Sequence, residues 1–255
     1  MATQKGLIES SELLKFSITL IHPVHINSLI ADKTIRGLVR SSEQRIRTQS
    51  TNRQTHQALN AKKAALTQYW IPKEGDKDML NDGKTVTLNG PKTKELKTVK
   101  GKTISKVSKT TFEKFQMEGT GLLKSGVMVN LDSGENTFLK VDRNKAPYGL
   151  GSSDNNPLVP WVSVASNDVK VGRRLYIKEL DGVKLPDGKK HNGCVRVDDE
   201  GWSFGGCQLD FFVLQYTAYK KLQDLLPDKV SVEQKDCKIL NYVTNAVKDW
   251  AVIDD

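Results

Sequence analysis

Two aspartates, Asp199 and Asp210, lie in the stretch RVDDEGWSFGGCQLDFFV, residues 196–213, with glycines between them and an apolar run after Asp210. An aspartate flanked by apolar residues in a strand is partly desolvated, which raises its pKa and lets it hold a proton near neutral pH. Asp210 could therefore serve as a general acid, and a nearby second carboxylate would raise its pKa further. The residue types alone equally allow a structural role, in which Asp210 caps a turn or pairs with a lysine.

Other catalytic constellations have little support in the sequence. It contains no GxSxG elbow, phosphate-binding loop, HExxH pair or dinucleotide-binding glycine motif. A cysteine nucleophile would need Cys194 or Cys207 beside His191, and no orienting group is evident for that pair. The three cysteines are too scattered for a zinc site, so we expect no metal and no cofactor. Cys194 and Cys207 could form a disulfide if their strands are neighbours, or could be two buried free thiols.

The composition favours an anionic partner. The 255 residues carry a formal net charge of +9, which suits nucleic acid, an acidic lipid surface or an anionic wall polymer. Aromatic residues do not alternate with the basic ones as base-stacking platforms would, which argues against nucleic acid. No apolar run is long enough for a membrane span, and the N-terminal residues do not form a secretory signal, so export would need a trimmed leader or another route.

Changes in residue composition and spacing along the chain predict four regions. Residues 1–70 read as a largely helical N-terminal extension, because 41–70 hold helix formers without Gly or Pro. Residues 71–110 read as lysine-rich hairpins or a linker. Residues 111–215 hold short β-type runs separated by turn residues, and residues 216–255 return to helical spacing, which predicts two helices packed on the β domain. The predicted fold is therefore mainly β with helical extensions.

The β region also resembles a known family. The pattern Asp199-x-Gly201, followed by Gly206 and Asp210-x-Phe212, is similar to the closing motif of the 3D (three-aspartate) domains and the lytic transglycosylase A family. Upstream, FQMEGTGLLKSGVMVNL (residues 115–131) resembles the family's opening strand, and VASNDVKVGRRLYI (residues 164–177) resembles a later segment. The resemblance spans about 100 residues, from roughly 112 to 215, and implies a closed, six-stranded double-psi β-barrel.

The resemblance also implies site residues. In wall-cleaving members, the aspartate that matches Asp210 acts first as acid and then as base, and Asp199 would orient it and help to bind substrate. Gly201 and Gly206 would then belong to the substrate-binding turn. Trp202 replaces a small residue of the family and could stack on a sugar or fill space. Asp168 is nearest to the family's third aspartate, although it stands closer to Gly172 than the pattern requires.

The long insertion at residues 131–160 has loop composition and supplies Tyr148 as a candidate sugar platform. The predicted function is cleavage of peptidoglycan glycan strands with a 1,6-anhydro product, by a secreted or injected antibacterial protein. A secretion apparatus and an immunity protein would then be partners, and the site of action would be the cell wall or a target periplasm. The alternatives are an expansin-like barrel that binds wall or other polysaccharide without cleaving it, an endoglucanase-like hydrolase, and an intracellular barrel that binds nucleic acid.

Overall fold

The fold is built around a twisted, mixed β-sheet. The computed structural model describes residues 63–80, 82–134, 136–151, 156–201 and 205–253. The predicted helical extension therefore lies outside the described residues up to residue 62. For the last residues of this predicted extension the prediction of helix is wrong, because Ala64–Tyr69 is a strand of the main sheet.

The main sheet has seven strands: β1 (Ala64–Tyr69), β9 (Ser163–Ala165), β10 (Arg174–Ile177), β11 (Cys194–Asp199), β12 (Gln208–Phe212), β13 (Lys229–Val230) and β14 (Val232–Gln234). Their order across the sheet is β13-β1-β12-β9-β11-β10-β14. Strands β1 and β12 pair in parallel, as do β9 and β11, and the remaining pairs are antiparallel.

The mainly β prediction is confirmed. The pairings among the described residues give an open order of seven strands and not a closed ring of six, so the closed barrel is not confirmed. The predicted β unit at 111–215 also has the wrong limits, because β1, β13 and β14 come from outside it. Strands that pair in a sheet can be distant in sequence, and the composition of a local segment does not show which distant segment it pairs with.

The two faces of the main sheet contact different hydrophobic cores. Leu209 and Phe211 of β12 are fully buried in the main core, together with Val164 of the neighbouring strand. Asp210 and Phe212 point to the opposite face, because successive side chains of a strand alternate. Phe212 enters a second core beneath residues 122–158 and the last helix.

Smaller elements pack around this sheet. Two hairpins lie in the lysine-rich region, and a three-stranded sheet follows them. The hairpins are β2 (Lys77–Met79) with β3 (Thr85–Thr87) and β4 (Lys94–Lys97) with β5 (Thr103–Val107), and the sheet is β6 (Thr120–Leu122), β7 (Met128–Leu131) and β8 (Phe138–Lys140).

Helix α1 (Lys109–Glu118) precedes the three-stranded sheet. Ser108 caps it by accepting the backbone N–H of Thr111, and Gly119 ends it in the left-handed conformation, which glycine adopts without steric cost. Residues 115–118, which resemble the start of a family strand, are therefore helical, and strand β6 begins only at Thr120.

The C-terminal region contains helix α2 (Tyr216–Leu222) and helix α3 (Asn245–Ala251), with strands β13 and β14 between them. The apolar spacing at Ile239 and Leu240 predicts helix, but these residues are not helical and instead pack against the main core. Within the described residues, no helix has the length and apolar character needed to cross a membrane.

The disulfide joins Cys194 to Cys237 and not to Cys207, which is free and exposed. Strand β10 pairs with β11 on one side and with β14 on the other. The chain leaving β14 therefore passes close to Cys194, so neither of the two possibilities, a Cys194–Cys207 disulfide or two buried free thiols, is correct. The disulfide with Cys237 also removes Cys194 as a nucleophile.

Candidate active site

A row of four residues crosses the main sheet. Thr67 of β1 pairs with Asp210 of β12, Asp210 pairs with Ala165 of β9, and Ala165 pairs with Asp199 of β11. Paired residues point to the same face of a sheet, so both aspartates lie on one face. Their backbones are two strand spacings apart, or about 10 Å.

A β-bulge brings Asp199 onto this face. Val197 pairs with Val164 in the main core, whereas Asp199 pairs with Ala165, so the register shifts between Val197 and Asp199. Without the extra residue Asp198, strict alternation would not place Asp199 beside Ala165. Bulges commonly redirect side chains next to functional sites in this way.

The side chain of Asp198 is buried, and both of its carboxylate oxygens accept hydrogen bonds. Its carboxylate accepts hydrogen bonds from Arg196 Nε at 2.5 Å, Arg196 Nη2 at 3.1 Å and Ser163 Oγ at 2.5 Å. Arg196 and Ser163 are themselves paired across β11 and β9. These contacts fix the bulge, and with it the direction of Asp199.

Asp210 has the properties expected of a carboxylic acid that holds its proton. Its Oδ1 atom is buried and has no hydrogen-bond partner among the described residues. Burial raises the pKa of Asp210 to about 7; the negative charges of Glu118 and Asp199 act in the same direction, and the nearby Thr67 hydroxyl opposes them. A carboxylate at this position is costly because little in the protein replaces its lost hydration.

Asp199 is held at both oxygens. The Tyr69 hydroxyl donates to Oδ2 at 3.2 Å, and the backbone N–H of Glu200 donates to Oδ1 at 2.8 Å. Burial and the neighbouring charges of Asp199 and Asp210 raise the pKa of Tyr69 well above its usual value, so the phenol keeps its proton and remains a donor. Tyr69 also packs on Phe212, with ring centroids 5.1 Å apart.

Gly151 closes one side of the site. A Cβ at this position would lie 2.4 Å from the carbonyl oxygen of Asp198 and 3.2 Å from Asp199 Oδ1. On the β1 side, Thr67 is exposed, so the row opens to solvent there. The two aspartates therefore share a sheet face that reaches solvent on the β1 side.

Asp168 is placed at the loop that precedes β12. Its carboxylate accepts the backbone N–H of Cys207 and lies against Gly206, where a Cβ would be 2.7 Å from Asp168 Oδ1. Asn167 pairs with Gly201 at the other end of this loop through two hydrogen bonds, of 2.8 and 3.0 Å. Asp168, Gly201 and Gly206 thus come together as supports of one loop. Trp202 lies outside the described residues.

Tyr148 is not available as a sugar platform. Only 7% of the residue is exposed, and its ring lies in the second core with Leu122 and Met128. Loop composition around residue 148 predicts exposure, but the segment folds against the three-stranded sheet. Within the described residues, no group of three or more His, Cys, Asp or Glu side chains is arranged to hold a metal ion.

Two residues on the same sheet face as the aspartates, Thr67 and Tyr69, are not predicted from the sequence. Both fall in the segment predicted to be helical. The available signal was the run ALTQY, residues 65–69, which ends in β-favouring residues and places Thr67 and Tyr69 two positions apart.

No family model matches the chain, and no curated protein matches it. Among solved structures it is similar to MltA from E. coli, with 13% identity over 68% of this chain and 73% of that chain and a TM-score of 0.39. It is also similar to the lytic transglycosylase LtgG of Burkholderia pseudomallei, with 14% identity, 68% and 73% coverage and a TM-score of 0.38. A membrane-bound lytic murein transglycosylase from Agrobacterium tumefaciens gives 10% identity, 68% and 75% coverage and a TM-score of 0.41. At TM-scores below 0.5, function has to be argued from this chain's own residues.

Proposed function

We propose that this protein cleaves the glycan strands of peptidoglycan by a lytic transglycosylase-like reaction, with Asp210 as the single acid and base. The observation that carries the proposal is the state of Asp210: a carboxyl group with a pKa of about 7 and a buried oxygen without a partner, on the same sheet face as Asp199. The motif that contains both aspartates resembles that of the lytic transglycosylase A family, which supports the choice of substrate.

In the first step, protonated Asp210 donates its proton to the glycosidic oxygen, and the bond between that oxygen and C1 breaks. Positive charge then develops on C1 and the ring oxygen. The carboxylate of Asp199, held by Tyr69 and the backbone of Glu200, provides negative charge on the same face.

In the second step, Asp210, now a carboxylate, removes the proton from the C6 hydroxyl of the sugar. The C6 oxygen bonds to C1 and closes a 1,6-anhydro ring, and Asp210 is protonated again. No water is consumed. The same desolvation that raises the pKa of Asp210 makes it both an acid before bond cleavage and an effective base after it.

The supports of the preceding loop have an indirect role in this proposal. Asn167 bonds Gly201 and Asp168 bonds Cys207, so Gly201 and the neighbouring Gly206 are proposed to line the substrate-binding surface. The closed double-psi barrel and the antibacterial role remain predictions.

One observation favours hydrolysis as the second candidate. Asp199 and Asp210 lie on one sheet face with a strand between them, and inverting glycosidases use two carboxyl groups that are far enough apart to hold a water molecule. In that reaction Asp210 would donate its proton to the leaving oxygen, and Asp199 would remove a proton from water. The product would then carry a reducing end with the elements of water added.

The test is digestion of purified peptidoglycan sacculi, with soluble products identified by mass spectrometry. We expect 1,6-anhydro muropeptides from the wild type and none from Asp210→Asn. The matched control is Asp224→Asn, an exposed aspartate of the same charge, which should leave the products unchanged. Products with reducing ends that have gained the elements of water would support hydrolysis. Binding to sacculi without any soluble product would contradict both reactions and support a protein that only binds the wall.

A further inference from the structure

The β4–β5 hairpin concentrates the positive charge of the chain. Residues 92–109 contain seven lysines and one glutamate, a net charge of +6 by subtraction, against +9 for the whole chain. The candidate active site uses none of these lysines.

The turn of this hairpin is exposed to solvent. A tight turn is closed by hydrogen bonds between Thr98 and Lys102 and between Gly101 N–H and the Thr98 carbonyl. Gly101 has open space around it, since a Cβ there would meet no atom within 4 Å. Val99 occupies the turn and is 52% exposed, which is unusual for a large apolar residue in the described part of the chain. We call Lys97, Val99, Lys100 and Lys102 the basic tip.

The base of the hairpin is buried. Leu96 and Val107 are fully buried and pack in a third core with Phe112 and Phe115 of helix α1. The basic tip is therefore attached to a packed base.

The lysines of the hairpin differ in how far their charge is compensated. Glu95 pairs with Lys97 at 2.8 Å and with Lys106 at 3.3 Å, so one carboxylate serves two lysines. Lys100 and Lys102 form no ion pair with any carboxylate of the described residues. The positive charge is thus least compensated beside Val99.

We propose that the basic tip docks the protein on an anionic lipid bilayer surface. Lysines at such a surface are attracted to anionic headgroups, with about 1 kcal/mol of free energy for each lysine. An exposed apolar side chain between them enters the boundary between headgroups and acyl chains. Val99 decides between a membrane and a soluble polyanion, because a polyphosphate or a nucleic acid offers an isolated valine no apolar partner. This docking function is independent of the proposed glycan cleavage.

The experiment measures co-sedimentation of the full chain with vesicles of phosphatidylcholine alone and of phosphatidylcholine mixed with phosphatidylglycerol. We expect binding to the anionic vesicles only. Replacing Lys97, Lys100 and Lys102 together by Gln should weaken it roughly a hundredfold, at about 1 kcal/mol per lysine. Val99→Asn should weaken it by about three- to tenfold.

The matched control replaces the exposed lysines Lys170, Lys220 and Lys221 by Gln, which removes the same charge elsewhere. We expect this variant to keep most of its binding. Equal losses for both triple variants, or no binding to anionic vesicles, would overturn the proposal. So would unchanged binding by Val99→Asn combined with equally tight binding of the wild type to soluble polyphosphate. Circular dichroism of each variant verifies that the hairpin's support is intact.

Discussion

Asp199 and Asp210 pair with the same residue, Ala165, from opposite sides of strand β9. The sheet therefore fixes the separation of the two carboxyl groups, and their states differ because their surroundings differ. Asp199 accepts hydrogen bonds at both oxygens, whereas Oδ1 of Asp210 is buried without a partner among the described residues.

Asp210→Asn should stabilise the protein at alkaline pH. The pKa of Asp210 is raised from an ordinary 3.8 to about 7, so the wild type loses stability as pH rises through this range and the folded carboxyl group must ionise. Asparagine cannot ionise, so the free energy of unfolding of the variant should exceed that of the wild type by on the order of 3 kcal/mol more at pH 8 than at pH 4. Urea denaturation at both pH values measures this difference. An equal difference at both would contradict the burial of the ionised group.

Thr67→Val should move the alkaline limb of the pH–rate profile to higher pH. The Thr67 hydroxyl lowers the pKa of Asp210, and valine has the same shape without the hydroxyl. Loss of the hydroxyl raises the pKa of Asp210, so the acid stays protonated to higher pH. Rates of muropeptide release between pH 5 and pH 9 provide the test. Thr67→Ser keeps the hydroxyl and should retain the wild-type limb.

Glu118→Gln should move the same limb to lower pH. The negative charge of Glu118 raises the pKa of Asp210, and glutamine removes that charge. Glu113→Gln, on the same helix but exposed, is the matched control. If Glu118→Gln left the limb in place while Thr67→Val moved it, Glu118 would not contribute to the field at Asp210.

Gly151→Ala should lower activity through the backbone of strand β11. The new Cβ would lie 2.4 Å from the carbonyl oxygen of Asp198, and this backbone atom cannot move without displacing the bulge. We expect a loss of about 1–3 kcal/mol in stability, together with reduced product release. Thermal denaturation and the sacculus assay measure the two effects. Gly205→Ala, where a Cβ would meet no atom within 4 Å, should leave the stability unchanged.

Cys237→Ser should destabilise the protein, whereas Cys207→Ser should not. The disulfide from Cys194 closes a loop with a sequence separation of 43 residues. The chain-entropy model gives about 4 kcal/mol for a loop of this length. Chemical denaturation with and without a reducing agent should show this loss for the wild type on reduction. A reductant effect that persisted in Cys237→Ser would point to a different pairing.

The sequence predicts the centre of the site better than its surroundings. Asp199 and Asp210 are found from one motif because the two residues and the glycines between them are close in sequence. Thr67 and Tyr69 are missed because β1 gains its strand conformation by pairing with β12, a partner that local residues do not specify. The bulge at Asp198 is equally hidden, since its cause is a network with Ser163 on another strand.

Burial and covalent pairing are the other features that the sequence does not settle. Tyr148 lies in a stretch of loop composition, yet its ring fills the second core. Cys237 becomes the partner of Cys194 only because β14 adds to the edge of the sheet at β10. Each of these features follows from which strands become neighbours, and strand order is a property of the whole chain.

The parallel pairing of β1 with β12 also determines when the site can exist. Thr67 and Leu209, which contact each other across these strands, are 142 residues apart in sequence. Contacts between residues so far apart in sequence slow folding, because a long chain segment must be closed before the contact stabilises the fold. During synthesis, β12 leaves the ribosome long after β1, so a partly made chain has no row of aspartates. The two aspartates would therefore come together on one sheet face only near the end of folding.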